Sequence, residues 1–204
     1  MTYIFRYLAV LFLAVVPFEL GAQSNALLEK LYGTLADNCV VMDCTYSIES
    51  DAVPVKGQCE IEFQGTSYKM KGGGLEIFCD GESVWIMDAG IMEAVIEPVG
   101  DDSYSYMSNP ALLFRDMDKV FDLKGSSSNG DGMRYTLSAR KPCGIKSSLL
   151  EIDKDAVLKK AEFTMDNDCV IKIDVKSVKV LPKKGKTAFA PGNISSDWVV
   201  TDLR

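Results

Sequence analysis

From residue 39 to residue 71 the chain alternates between apolar and polar residues with a period of two, and this constrains the fold more than any other feature. Val40, Met42, Cys44, Tyr46 and Ile48 fall on one side of an extended segment, and Asp43, Thr45, Ser47 and Glu49 on the other. After a turn holding Pro54, Cys59, Ile61 and Phe63 alternate with Gln58, Glu60 and Glu62; beyond Gly65, Tyr68 and Met70 stand opposite Lys69 and Lys71. Side chains of a strand point alternately to its two faces, so each segment is apolar on one face and charged on the other. That is the pattern of antiparallel sheet with one wet face.

The next stretch, EIFCDGESVWIMDAGIMEAVIEP (residues 76 to 98), departs from simple alternation. It reads as two central strands joined at Asp80-Gly81, with a turn at Asp88-Ala89-Gly90 leading to a third. Both faces are apolar. The spacing allows Trp85 and Met87 to share the inward face, which sends Val84 and Ile86 the other way.

Pro110 after Asn109 predicts a short helix over 110–114 with Leu112, Leu113 and Phe114 as its apolar side. Val120, Phe121 and Leu123 then suggest a strand, and GSSSNGDG (125–132) reads as a flexible loop. The remainder is a run of hairpins, in which Cys169, Ile171, Ile173 and Val175 alternate with Lys172, Asp174 and Lys176, closing with a strand at 198–203.

Upstream of the alternation, Leu27, Leu28, Leu31 and Leu35 recur at helical spacing, with Tyr32 on the same stripe and Ser24 or Asn25 able to cap the start. This predicts one amphipathic helix over 25–37. Residues 1–22 are set apart: Arg6 precedes the apolar run 7–18, and Gly21-Ala22 offers a small-residue cleavage site. A cleaved signal peptide is expected over 1–22, followed by a single exported domain over 23–204. The count is one long helix, one or two short ones and about ten or eleven strands. A meander of that length manages its edges by curling. The expected fold is therefore mainly β (α+β), an incomplete, curved antiparallel β-barrel with helices covering its concave face.

Charge and residue usage narrow the function. The formal net charge is -7, and the only dense basic patch, Lys183, Lys184 and Lys186, flanks Pro182 and Gly185 as a solvated loop would. Nucleic acid, which requires clustered Lys and Arg, is not an expected partner. The chain contains no histidine, which removes Ser-His and Cys-His nucleophiles and imidazole zinc sites. No catalytic residue is assigned, and an enzyme is not expected. The Asp166-Asn167-Asp168 turn and the 129–132 turn lack the ligand spacing of a calcium loop, and the glycines at 72–74 lack the strand-to-helix setting of a phosphate loop. Neither a metal nor a cofactor is predicted. Cys39, Cys44, Cys59, Cys79, Cys143 and Cys169 allow up to three disulfides in fifteen pairings, and buried thiols fit the pattern equally well.

The inward residues carry the site. Met42, Tyr46, Phe63, Tyr68, Met70, Trp85, Met87 and Met92 are bulky and adaptable, where sheet cores favour Val, Ile and Leu. Methionine and aromatic side chains suit surfaces that accept ligands of varied shape. With Ile61 from the same face, Leu28, Leu31 and Leu35 from the long helix, and Leu112 and Leu113 from the short one, they are the candidate lining of an apolar cavity and its lid.

In this order the features resemble those of the periplasmic outer-membrane lipoprotein carrier proteins (LolA), most closely their divergent, LolA-like members, over nearly the whole mature chain. Cys79-Asp80-Gly81-Glu82-Ser83-Val84-Trp85 looks like the family's "s-DG-k-t-l-W" turn, and Ile91-Met92-Glu93 its "v-e-q" continuation. Asn109-Pro110-Ala111-Leu112-Leu113 looks like its "t-P-l-x-L-L" helix. Residues 137–141, and Phe189 with 197–204, echo the later strand ends. Where the family has a basic residue followed by proline, this chain reads Phe63-Gln64-Gly65-Thr66. The resemblance implies acylated lipoproteins or other lipids as ligands, membrane-bound donor and acceptor proteins as partners, and a monomer. Its implied function is to bind acyl chains in a hydrophobic cavity and ferry lipoproteins towards the outer membrane. The alternative is a lipid- or lipoprotein-sensing regulatory module of the same half-barrel shape.

Overall fold

A computed structural model of the chain describes residues 18–50, 54–100, 106 and 109–204. Most of the expected signal peptide lies outside these residues. Its last five, 18–22, belong to helix α1, Phe18–Asp37, which starts seven residues before the predicted 25. Ser24 and Asn25 are therefore interior positions, not caps. Pro17 is followed by a run without proline, which a helix can traverse. No helix among the described residues is long and apolar enough to cross a membrane.

The strands are β1 (Cys39–Glu49), β2 (Val55–Gln64), β3 (Ser67–Gly72), β4 (Leu75–Cys79), β5 (Ser83–Asp88), β6 (Glu93–Pro98), β7 (Phe121–Asn129), β8 (Gly132–Ala139), β9 (Ile145–Ile152), β10 (Leu158–Met165), β11 (Val170–Leu181) and β12 (Val199–Asp202). They form one curved, open sheet in the order β12-β6-β5-β4-β3-β2-β1-β11-β10-β9-β8-β7, an incomplete barrel as expected. Two meanders, β1–β6 and β7–β11, are joined by antiparallel pairing of β1 with β11. The chain passes between meanders through helices α2 (Pro110–Arg115) and α3 (Met117–Val120). Since β6 and β7 stand towards opposite edges, that connection has to cross the sheet.

The pairing explains the alternation. Met42, Ile61, Met70, Ile77 and Ile86 lie opposite one another across β1 to β5 and form one apolar row. On the other face, opposite charges meet across neighbouring strands: Lys71 with Glu76 at 2.5 Å, Arg134 with Glu151 at 2.6 Å and Lys160 with Asp174 at 3.6 Å. The glycine run closes the β3–β4 hairpin, Gly73 and Gly74 both taking positive φ (61° and 87°), the geometry that a tight hairpin turn demands and that only glycine adopts without strain.

Two expectations are corrected. The 125–132 segment is not a loop, because Gly125 to Asn129 pair with Thr136 to Gly132 in the β7–β8 hairpin, leaving only Gly130-Asp131 as the turn. The ladder needs backbone amides and carbonyls rather than apolar side chains, so an exposed edge strand of serines satisfies it. Val120 belongs to α3, and the strand begins one residue later.

The second correction concerns Trp85 and Met87. Trp85 lies opposite Phe78 and Ile96, in a row that continues through Lys69 to Glu62 on the outer face; Met87 lies opposite Glu76 and Ala94. Val84 and Ile86 take the inner face instead. The outer apolar row is covered by the chain after β11. Lys184 pairs with Glu62 and exchanges backbone hydrogen bonds with the Gln64 side chain, and Lys186 pairs with Glu82 at 3.1 Å. A 3-10 turn at Lys186–Phe189 follows. The segment then ends in β12, parallel to β6, with the Arg204 guanidinium 6.0 Å from the Trp85 ring centroid. Phe189, Ala94 and Ile96 are buried outside the main core cluster, as cover on this side requires.

Candidate functional site

The concave face and α2 enclose an apolar cavity of about 190 Å³. Its floor is built from β1 to β3 (Met42, Cys44, Cys59, Ile61, Met70) and from β9 to β11 (Ile145, Leu158, Ala161, Phe163, Met165, Ile171, Ile173, Val175). Its roof is Pro110, Leu113 and Phe114 of α2, with Tyr106 beside them. Among the described residues, no charged side chain lines it.

Local chemistry places the roof. Asn109 caps α2, its Oδ1 accepting from the Leu112 amide at 3.0 Å, while Pro110 occupies the first turn where no amide is needed. The same side chain donates through Nδ2 to the Thr66 carbonyl at 3.1 Å, tying the helix start to the β2–β3 turn. One turn later the Phe114 ring stacks on Phe63 of β2, centroids 4.7 Å apart. At the far end Asp116 accepts from Arg115, and from Lys119 at 2.8 Å, and the Tyr106 hydroxyl donates to it at 3.5 Å. Burial pushes the Asp116 carboxyl up, but hydrogen bonds from Arg115 and Lys119 outweigh it and hold the carboxyl below its ordinary value. Burial, with Asp116 beside it, raises the Tyr106 hydroxyl, so this phenol on the cavity wall stays neutral.

Of the residues expected at the cavity, Met42, Ile61, Met70 and Leu113 line it. Leu28, Leu31, Leu35, Phe63 and Tyr68 are buried in the core cluster that continues from it. Tyr46 is half-buried with its ring over β2, where a Cβ on Gly57 would come within 2.6 Å of the phenol oxygen. Leu112 is half-buried and off the lining. Trp85 and Met87 face the opposite way, and Met92 is 49% exposed in the turn before β6. Sequence reasoning missed the lining from β9 to β11. Its alternation is legible, at Ile171, Ile173 and Val175 above all, but bulk and sulfur select the candidates, and these strands contribute mainly branched aliphatics.

Fold and site together define a class: an open half-barrel whose concave side holds a helix-roofed apolar chamber. Among solved structures, the chain is similar to an uncharacterized conserved protein from Thermus thermophilus, with a TM-score of 0.54 at 14% identity over 87% of this chain and 98% of that one. It is also similar to the LolA superfamily protein NE2245 from Nitrosomonas europaea (TM-score 0.44, 12% identity, 82% and 97% covered). A DUF1329 family protein from Desulfovibrio piger gives 0.43 at 10% identity, over 83% and 96%. The likeness to the Thermus thermophilus protein exceeds 0.5 in TM-score. At these identities it is a likeness of fold. No family model matches the chain, and no curated protein does.

Proposed function

We propose that the protein is a periplasmic carrier that takes the acyl chain of a lipoprotein into its concave chamber, shields it from water and hands it on towards the outer membrane. The observation that carries this reading is the chamber itself, lined by uncharged side chains and roofed by a short helix held at three points. Each buried methylene contributes about 0.8 kcal/mol of transfer free energy, so an acyl chain needs no polar anchor to bind. The protein acts as a binding protein and a monomer, with membrane-bound donor and acceptor proteins as partners.

Size bears on the mechanism. A cavity of about 150 Å³ holds a ligand the size of benzene, so 190 Å³ accepts only the end of one chain while α2 is seated. Bulkier cargo requires α2 to lift, and reseating it expels the cargo by competing for the same apolar surface. Binding therefore selects a lid-open state.

The test is extraction. Purified protein is mixed with vesicles carrying a triacylated lipoprotein, and the soluble fraction is assayed for a one-to-one complex. Recovery of that complex supports the carrier. Saturable binding of a fluorescent fatty acid without extraction overturns it in favour of the lipid-sensing module, and binding of neither overturns both.

A further inference from the structure

Cys44 of β1 and Cys59 of β2 are directly opposed in one antiparallel ladder. Opposed residues of such a ladder have Cα atoms about 4.5 or 5.5 Å apart, and disulfides accept about 4.4–6.8 Å. The two strands are thus already spaced for a bond between them. Both thiols are free, and both line the cavity. The neighbour of Cys59 on β3 is Gly72, where a Cβ would stand 2.9 Å from the Cys59 Cβ; its absence keeps a third side chain off the pair.

The other cysteines are arranged differently. Cys39 donates to Glu62, Cys79 to the Thr66 carbonyl and Cys143 to the Ile145 carbonyl. Among the described residues no other two cysteines are opposed in a ladder.

We propose that Cys44 and Cys59 form a reversible disulfide in the cavity wall, made and broken by exchange with external disulfides and thiols. Cys59 is the half-buried partner and Cys44 the buried one, so Cys59 meets the oxidant. The Cys44 thiol beside it lowers the Cys59 thiol below its ordinary value, which favours the thiolate that such exchange requires. The Cys59 thiolate attacks one sulfur of an external disulfide, the old S–S bond breaks, and one external thiolate leaves with the proton that Cys59 released. Cys44 then gives up its proton and attacks the Cys59 sulfur, expelling the second external thiol. The external disulfide is reduced to two thiols, and the protein pair is oxidised by two electrons. The product staples β1 to β2 beneath the chamber, whatever ligand the chamber takes.

The folded full-length protein is equilibrated across ratios of oxidised to reduced glutathione, capped with an alkylating reagent and analysed by intact mass and peptide mapping. Two of the six thiols should resist alkylation under oxidising ratios, with the Cys44 peptide joined to the Cys59 peptide, and reductant should restore both. C59S should show no thiol loss, whereas C44S, left without the resolving thiol, should lose one thiol as a glutathione adduct on Cys59. In the wild-type protein, six alkylated thiols at every ratio, a stable glutathione adduct on Cys59, or a link between other cysteines would overturn the proposal. The wild-type map decides even if a serine variant fails to fold.

Discussion

Phe63 and Phe114 stack with ring centroids 4.7 Å apart and planes 20° from parallel, joining wall strand β2 to roof helix α2. Phe63 is wholly buried, and Phe114 nearly so. Phe114→Ala removes a ring that is both a core residue and part of the roof. It should cost about 3–5 kcal/mol, read as a lower denaturant midpoint at unchanged slope, and should speed release of a bound fatty-acid probe.

Asn109 separates capping from latching. Asn109→Asp keeps an acceptor for the Leu112 amide but removes the donor to the Thr66 carbonyl; Asn109→Ala removes both. The alanine variant should lose about 1–2 kcal/mol from the cap and the bond together. The aspartate variant should lose less stability yet release the probe as fast, in stopped-flow measurements. Equal probe release in wild type and Asp variant would show that the Thr66 contact does not hold the roof.

Asp116 predicts an acid limb. Its folded pKa lies below the ordinary 3.8, so its stabilisation is fully present above that value and is lost as pH falls through the depressed one. The midpoint of thermal unfolding in wild type should exceed that of Asp116→Asn at neutral pH. The gap should shrink progressively as the pH falls below the ordinary carboxylate range and through the depressed value. A gap constant over that range would remove the ion-paired corner from the account.

Trp85 gives a test of which face is which. Because it lies on the outer row beneath Arg204, Trp85→Phe should leave probe affinity within about twofold, whereas Ala161→Phe, which fills part of the cavity, should weaken it about tenfold or more, or 1.4 kcal/mol. Isothermal titration with one fatty-acid probe compares them. The opposite ranking would return Trp85 to the ligand wall.

Gly132 is held by its neighbour. A Cβ there would lie 2.0 Å from the Ile152 carbonyl oxygen, and backbone cannot swing aside as a side chain can. Gly132→Ala should cost about 1–3 kcal/mol, measured by chemical denaturation, although Gly132 is not itself part of the cavity lining.

Much of the architecture was legible in the chain because period two is a local property. Residues 39–49, 58–63 and 67–71 each declare a strand, and Asn109-Pro110 declares a helix start, without reference to anything distant. What misled was the stretch around Trp85. Where both faces of a strand are apolar, alternation no longer says which face is inside, since burial on either side satisfies the same residues. The serines of 125–129 misled for the reverse reason, as an edge strand is held by backbone bonds that leave no mark on composition.

Sequence by itself determined that this protein would be a curved antiparallel sheet with an apolar inner face, an N-terminal helix and a short proline-led helix to cover it. Those features rest on spacing within a dozen residues. Tertiary structure alone decided that β1 would join β11, that the chain after β11 would cover the outer face of β4 to β6, and that Cys44 would meet Cys59. Each is a pairing between segments whose register depends on how the sheet bends and on what else competes for its faces. The cavity belongs to that second class, because it is the space left between surfaces that no single segment describes.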